Sequence, residues 1–300
     1  MDTRRAFLID AFTTEPLSGN QAGLVPNAEG LGTEPMAAIA RELNASETAF
    51  LFPADEGARR VRYFTPEGEI DLCGHATIAA GAWLSDTDEL DDGTHTFETN
   101  VGLLDVELDN GTVWMDGTRS EVSRVDLGYE RIAEALGADP ATLTDIGADL
   151  PLATASTGLE YLIVPMNFLE ALSGLDPDDG AIADLSAELD VTGVYAFTFD
   201  TLGGETTLHG RMFGPAVGVH EDSVTGTASG AVAAYLREFE AFDSKFPEEM
   251  LFEQGHFIDR PGTVRVRARA DPISIGGRAV TAVEGTVSVP DFGDDEIIEV

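Results

Sequence analysis

The chain has 300 residues, and 55 Asp and Glu against 17 Lys and Arg give it a formal net charge of −38. A surface this acidic repels phosphate backbones and anionic head groups, which argues against nucleic acid and membranes as partners. Apolar residues make up 43% of the chain, too many for an acidic disordered tail, so it reads as a folded protein whose carboxylates hold water and cations at high salt.

The first twelve residues, MDTRRAFLIDAF, hold no apolar stretch long enough for a secretion signal, and no later window reaches the ~20 apolar residues of a membrane-spanning helix. Cys73 is the sole cysteine, so no intrachain disulfide can form and a reducing, cytoplasmic setting is expected. At 34–44, Met36, Ile39, Ala40 and Leu43 share one face behind Pro35, which predicts a helix. Short β-rich runs follow at 60–64, 103–108 and 112–115, with a charged junction at 120–128. Weaker helical patterns occupy 129–136 and 181–189, and strands are predicted at 195–199, 206–213, 263–269 and 279–289. Gly276-Gly277 reads as a hairpin turn.

The chain repeats itself. Gly74 to Leu84 reads GHATIAAGAWL, and 152 positions later Gly226 to Leu236 reads GTASGAVAAYL. Phe64-Thr65-Pro66 is echoed by Phe213-Gly214-Pro215, Glu69 by Glu221, and Leu24-Val25-Pro26 by Ile163-Val164-Pro165. Both repeated helices are apolar on nearly every side, so each must be enclosed. The pattern predicts an α+β fold of two like domains, each a curled, mostly antiparallel sheet around a buried helix. Their expected bounds are 1–122 and 123–287, with a strand near 288–300 returning to the first.

Each buried helix opens on a glycine, Gly74 or Gly226, where unpaired N–H groups and a partial positive charge invite an anion. If both starts face one cleft, they form a paired cradle; taken singly, each glycine serves only a strand-to-helix turn. Three titratable residues lie at these junctions. Among 55 acids a given carboxylate is ordinarily a solvated surface group. Glu47 differs because Ala49, Phe50, Leu51 and Phe52 follow it, so burial is expected to lift its pKa from about 4.3 towards neutrality, as suits a group that takes and gives a proton. His75, in a positive first helical turn, is expected to stay neutral. Asp222 either caps its turn or serves the site. His95, His209, His220 and His256 are scattered, so no metal site is expected. No Walker loop, GxGxxG or GxSxG motif occurs, and no cofactor is expected.

Taken together, DAFTTEPLSGNQAGLV from Asp10, SETAF from Ser46, the CGHAT that ends at Thr77, STGLEYLIVP from Ser156, EDSVTGTASGAVAAYL from Glu221 and EQGHFIDRPG from Glu253 resemble the phenazine-biosynthesis isomerase (PhzF-like) family of the diaminopimelate epimerase-like fold. The likeness covers essentially the whole length, in an acidic member of haloarchaeal type. It implies a homodimer and a cofactor-independent isomerase acting on a small carboxylate-bearing metabolite. Glu47 would be the proton-shuttling acid/base, assisted by His75 and Asp222. Asn20, Ser46, Cys73, Gly74, Gly226 and Thr227 would bind substrate. Thr227 stands where Ser is common, and Gln21 where Pro is frequent. Sister racemases carry a cysteine before each helix glycine. Here Cys73 fills the first place and Thr225 the second, and a threonine hydroxyl cannot replace a thiol of pKa about 8.5. The rivals are an epimerase or racemase using Cys73 with Glu47, and a metabolite-binding protein without catalysis.

Overall fold

A computed structural model describes residues 2–144, 146, 149–242 and 245–289. The chain forms two compact units: Met1–Leu17, Gln21–Val113 and Arg278–Val300 make the first, Ser18–Asn20 and Trp114–Gly277 the second. The crossing after Val113 precedes the charged stretch 120–128 in which the sequence suggested a junction. Of the expected returning strand at 288–300, the part from 290 on lies outside the described residues.

In the first unit, β1 (Asp2–Ala11) pairs antiparallel with the closing strand Ala279–Val289. Next come β2 (Asn20–Val25), α1 (Thr33–Leu43), β3 (Glu47–Phe52), β4 (Arg59–Phe64), β5 (Glu69–Ile70), α2 (Gly74–Asp86), β6 (Gly93–Thr99), β7 (Gly102–Asp109) and β8 (Thr112–Asp116), which runs into the second unit. α1 buries Met36, Ile39 and Ala40 and ends at Asn44, whose left-handed φ of 53° turns the chain towards β3 while its N–H bonds the Ala40 carbonyl. Parallel pairing of β2 with β3 sets Ala22 opposite Glu47, which fixes Glu47 at the strand's first position.

α2 is buried at every residue from Ala76 to Leu84. Its small alanines and glycines let the sheet approach closely, with Val113 packed where a Cβ of Gly81 would lie. Burial of each large apolar side chain stabilises by about 1.5–3 kcal/mol, which fixes in place a helix with no polar face.

The second unit contains β9 (Glu121–Arg124), α3 (Tyr129–Leu136), β10 (Ala153–Ser156), β11 (Glu160–Pro165), α4 (Leu169–Ser173), α5 (Asp179–Leu189), β12 (Gly193–Thr198), β13 (Leu208–Gly214), β14 (Val219–Asp222), α6 (Gly226–Glu238), β15 (Met250–Gln254), β16 (Gly262–Arg267) and β17 (Ser274–Gly277). α6 is buried from Ala228 to Leu236. The duplication is visible in the strand pairing. β2 runs parallel to β3, β3 antiparallel to β4, and β4 parallel to β6; β11, β12, β13 and β15 repeat those relations in that order. The fold is the expected α+β class, a mixed sheet and a central buried helix in each unit.

Gly276-Gly277 is not a hairpin turn. Both residues lie in β17, where Gly276 pairs with Arg265 and the Trp114 ring occupies the space a Cβ would need. The glycine is there for ring packing. Among the described residues no helix is long and apolar enough to cross a membrane.

Candidate active site

The first unit gathers Ser46, Glu47, Cys73 and His75. Glu47 opens β3, Cys73 is the N-cap of α2, and His75 lies in that helix's first turn. His75 Nε2 lies 3.2 Å from Glu47 Oε2 and 3.3 Å from Ser46 Oγ, while its Nδ1 lies 3.5 Å from Cys73 Sγ. The Ser46 hydroxyl also reaches the Gln21 carbonyl at 3.4 Å. The His75 and Glu47 side chains are only 13% and 22% exposed, so water screens their contact weakly.

Two expectations about charge are overturned here. Burial does push the Glu47 carboxyl up. Hydrogen bonding and charge from His75, with help from Ser46 and Cys73, outweigh it and hold Glu47 below its ordinary value. Burial alone would lower His75. The Cys73 sulfur and then the Glu47 carboxylate instead draw it well above its ordinary value, so His75 favours the charged form despite its positive helix end.

One donor atom each from Glu47, Cys73 and His75 lies within 4.8 Å of the others, a set that a zinc-like ion accepts. The imidazole turns one nitrogen to the sulfur and the other to the carboxylate, so a single ion cannot use both contacts as they stand.

The second unit gathers Asn20, Asp222, Thr225, Gly226 and Thr227. Asp222 ends β14, and Thr225 is the N-cap of α6. The Thr225 hydroxyl donates to Asp222 Oδ2 at 2.6 Å, and Asn20 Nδ2 donates to Asp222 Oδ1 at 2.9 Å and to the Val224 carbonyl at 2.8 Å. Thr227 Oγ1 lies 2.8 Å from the Tyr161 hydroxyl, and its carbonyl accepts from Thr157 Oγ1 at 3.3 Å. Burial raises the Tyr161 phenol far above its usual range, so it stays a neutral hydrogen-bonding group.

Both helix starts are open. The first helical bonds run from Thr77 N to Cys73 O and from Ser229 N to Thr225 O, each 3.0 Å, and no side chain caps either start. The preceding N–H groups of Gly74, His75 and Ala76, and of Gly226, Thr227 and Ala228, have no partner within their helices. Each start can therefore receive a carboxylate oxygen.

Sequence reasoning missed Tyr161, Gln254 and the hydrogen-bonding part of Thr225. Tyr161 sits in the quoted STGLEYLIVP string and Gln254 in EQGHFIDRPG, so the strings contained them without marking them.

Residues 9–285 match the family described as phenazine biosynthesis-like protein. A relative from Deinococcus radiodurans, named only as an uncharacterised isomerase, is 38% identical over 294 residues, covering 92% of each chain. The trans-2,3-dihydro-3-hydroxyanthranilate isomerase of Pseudomonas aeruginosa is 30% identical, covering 94% of this chain and 98% of its own. Among solved structures, the Bacillus anthracis phenazine biosynthesis protein of the PhzF family superposes with a TM-score of 0.87 at 32% identity, covering 96% of this chain and all of that one.

Proposed function

The chain belongs to the phenazine biosynthesis-like family and is an enzyme of the isomerase class, and on that premise we propose that it moves a proton between carbons of a small carboxylate-bearing metabolite without a cofactor. Glu47 is the general acid and base. The observation that carries this reading is the 3.2 Å contact of Glu47 with His75 at the open start of a buried helix. Held below its ordinary range, Glu47 is ionised at neutral pH and begins as the base. It takes the proton from the substrate carbon, the C–H electron pair moves into the adjoining unsaturated system, and the carboxyl returns the proton at a second carbon. A protonated Glu47 beside charged His75 is a strong acid, which favours that return. Open N–H groups at Gly74, with Ser46 and Cys73, are the first unit's substrate contacts; Asn20, Gly226 and Thr227 are those of the second. Asp222 assists as an oriented carboxylate.

The racemase alternative fits less well. Bases on opposite faces of one carbon each stand about 3 Å from it, hence on the order of 6 Å apart. Donor atoms of Cys73 and Glu47 lie within 4.8 Å, in one cluster.

The test is deuterium incorporation in D2O with trans-2,3-dihydro-3-hydroxyanthranilate, the compound in the P. aeruginosa relative's name. The wild type is expected to label carbon, and Glu47→Gln to do so about 10²–10⁴ times more slowly. Equal rates in a folded variant would remove Glu47 from the mechanism. Binding without any label would favour a metabolite-binding protein.

A further inference from the structure

The segment that carries Asp222 is held by a residue that the reaction above does not use. Gln254 ends β15 and is 1% exposed. Its Oε1 accepts from Thr225 N at 3.1 Å, and its Nε2 donates to the Asp222 carbonyl at 2.9 Å and to Thr225 Oγ1 at 3.0 Å. These directions fix one another. A backbone N–H can only donate and a carbonyl only accept, so the amide has one orientation. The Thr225 oxygen receives the Gln254 N–H, and its single proton goes to Asp222 Oδ2 at 2.6 Å. Asn20 closes the other side at Oδ1. Gln254 thus grips both ends of the segment 222–225, which is half-buried at Asp222 and Ser223 and buried at Val224 and Thr225.

The strand that presents Gln254 is anchored on its opposite face. Glu253 accepts from Leu202 N at 3.0 Å, Gly203 N at 2.5 Å and Thr206 Oγ1 at 2.7 Å, and meets His209 Nδ1 at 2.9 Å. Past Gln254 the chain turns at Gly255, with φ of 82° and the Ser223 and Arg260 carbonyls where a Cβ would lie. Arg260 then donates to the Gly19 carbonyl at 3.0 Å and the Ser18 carbonyl at 2.6 Å, just before Asn20.

We propose that Gln254 is a positioning residue for Asp222: it holds 222–225 in the conformation in which the Thr225 hydroxyl and the Asn20 amide aim the Asp222 carboxylate. Only the catalytic consequence rests on the isomerase reading; the positioning itself belongs to the free protein.

The test is a 13C titration of the Asp222 carboxyl in aspartate-labelled protein, its resonance identified by loss in Asp222→Asn. Tyr161 and Tyr195 couple to it electrostatically, and no variant replaces either residue. Gln254→Met and Thr225→Val are each expected to raise the Asp222 midpoint by about one pH unit, the effect of losing one hydrogen bond to a charged group. Thr225→Ser keeps the hydroxyl and should leave the midpoint in place. If Gln254→Met fails to fold, Gln254→Asn retains the amide but is too short to bridge both ends, and should shift the midpoint the same way. A purely structural Gln254 would lower stability without moving the titration, and an unmoved midpoint in a folded Gln254 variant overturns the proposal. In turnover, Gln254→Met combined with Asp222→Asn should be no slower than Asp222→Asn alone, and full additivity also overturns it. Wild-type turnover in Asp222→Asn would instead refute the role of Asp222 and leave the titration result intact.

Discussion

The two units share a frame and differ in what they place on it. Each runs strand pairs in the order parallel, antiparallel, parallel around a buried helix. In each, the residue four positions past the helix N-cap returns its hydroxyl to the N-cap carbonyl: Thr77 to Cys73 at 2.7 Å, Ser229 to Thr225 at 2.9 Å. In each, an arginine clamps a glutamate on the next strand and lies over a phenylalanine, Arg62 with Glu69 and Phe64, Arg211 with Glu221 and Phe213. The differences fall at the helix starts. Glu47 opens β3, and its counterpart opening β12 is Gly193, where the Phe213 carbonyl leaves no room for a side chain. In the repeat, Cys73 corresponds to Thr225 and His75 to Thr227. The frame was kept where backbone geometry demands it, and of the two helix starts only the first carries a histidine–glutamate pair. Proton transfer by the first unit's pair is the chemistry this asymmetry favours.

The repeated ion pair offers the largest effect with which to sharpen that comparison. Arg211 meets Glu221 through two bonds of 2.9 and 2.7 Å, with side chains 8% and 3% exposed. It also donates to the Leu172 and Leu175 carbonyls. Arg62 meets Glu69 at 2.7 and 2.5 Å, but those side chains are 19% and 25% exposed. Arg211→Met strands a buried carboxylate and should destabilise by about 3–5 kcal/mol. Arg62→Met leaves a carboxylate that water can reach and should lose about 1 kcal/mol or less. Urea unfolding of both variants checks the ratio. Equal losses would mean that burial does not separate the two copies.

That pair also marks the limit of what was legible in the sequence. The echo of Glu69 by Glu221 was visible, yet the arginines were not, because a cross-strand partner leaves no trace in local periodicity. The enclosed helices were readable from composition alone, since a helix without a polar face has one solution. Glu47 stood out through the apolar run behind it, which signals burial. The run says nothing about His75, 28 residues on and in another element, and so the sign of the Glu47 shift came out reversed. Gly276-Gly277 carries a turn signal locally, while its cause is Trp114, more than 160 residues earlier. Gln254 is a polar residue at the end of an apolar strand, and only the folded loop 222–225 gives it a purpose.

The paired hydroxyls should show a smaller effect. Thr77 Oγ1 gives its proton to the Cys73 carbonyl, so the buried Tyr63 hydroxyl at 2.7 Å must donate to Thr77. Thr77→Val removes that acceptor as well as the helix bond, and should lower stability by about 1–3 kcal/mol. Ser229→Ala removes the equivalent helix bond and should lose about 1 kcal/mol. Denaturant midpoints for the two variants give the comparison. A larger loss in Ser229→Ala would show that the second helix start depends more heavily on its hydroxyl than the hydrogen bonds indicate.

The subtlest difference between the units lies in how stability depends on pH. Glu47 is lowered from 4.5 in the folded protein, so its contribution is complete above that value and is lost as pH falls through the folded pKa. His75 is raised from 6.5, so its contribution is complete below 6.5 and is lost as pH rises through its folded pKa. The pair therefore stabilises fully between 4.5 and 6.5 and fades on both sides. In the second unit Gly193 and Thr227 occupy the corresponding places, and neither titrates. Glu47→Gln removes the acid limb outright. It also lowers the His75 pKa, because the carboxylate that draws it up is gone, while Cys73 keeps part of the rise. Denaturant midpoints of wild type and Glu47→Gln across pH 4 to 9, with the His75 Cε1–H signal followed by NMR, should show both changes together. An unchanged His75 titration in the variant would mean that the sulfur alone sets its charge, and the 3.2 Å contact would then carry no weight in the mechanism.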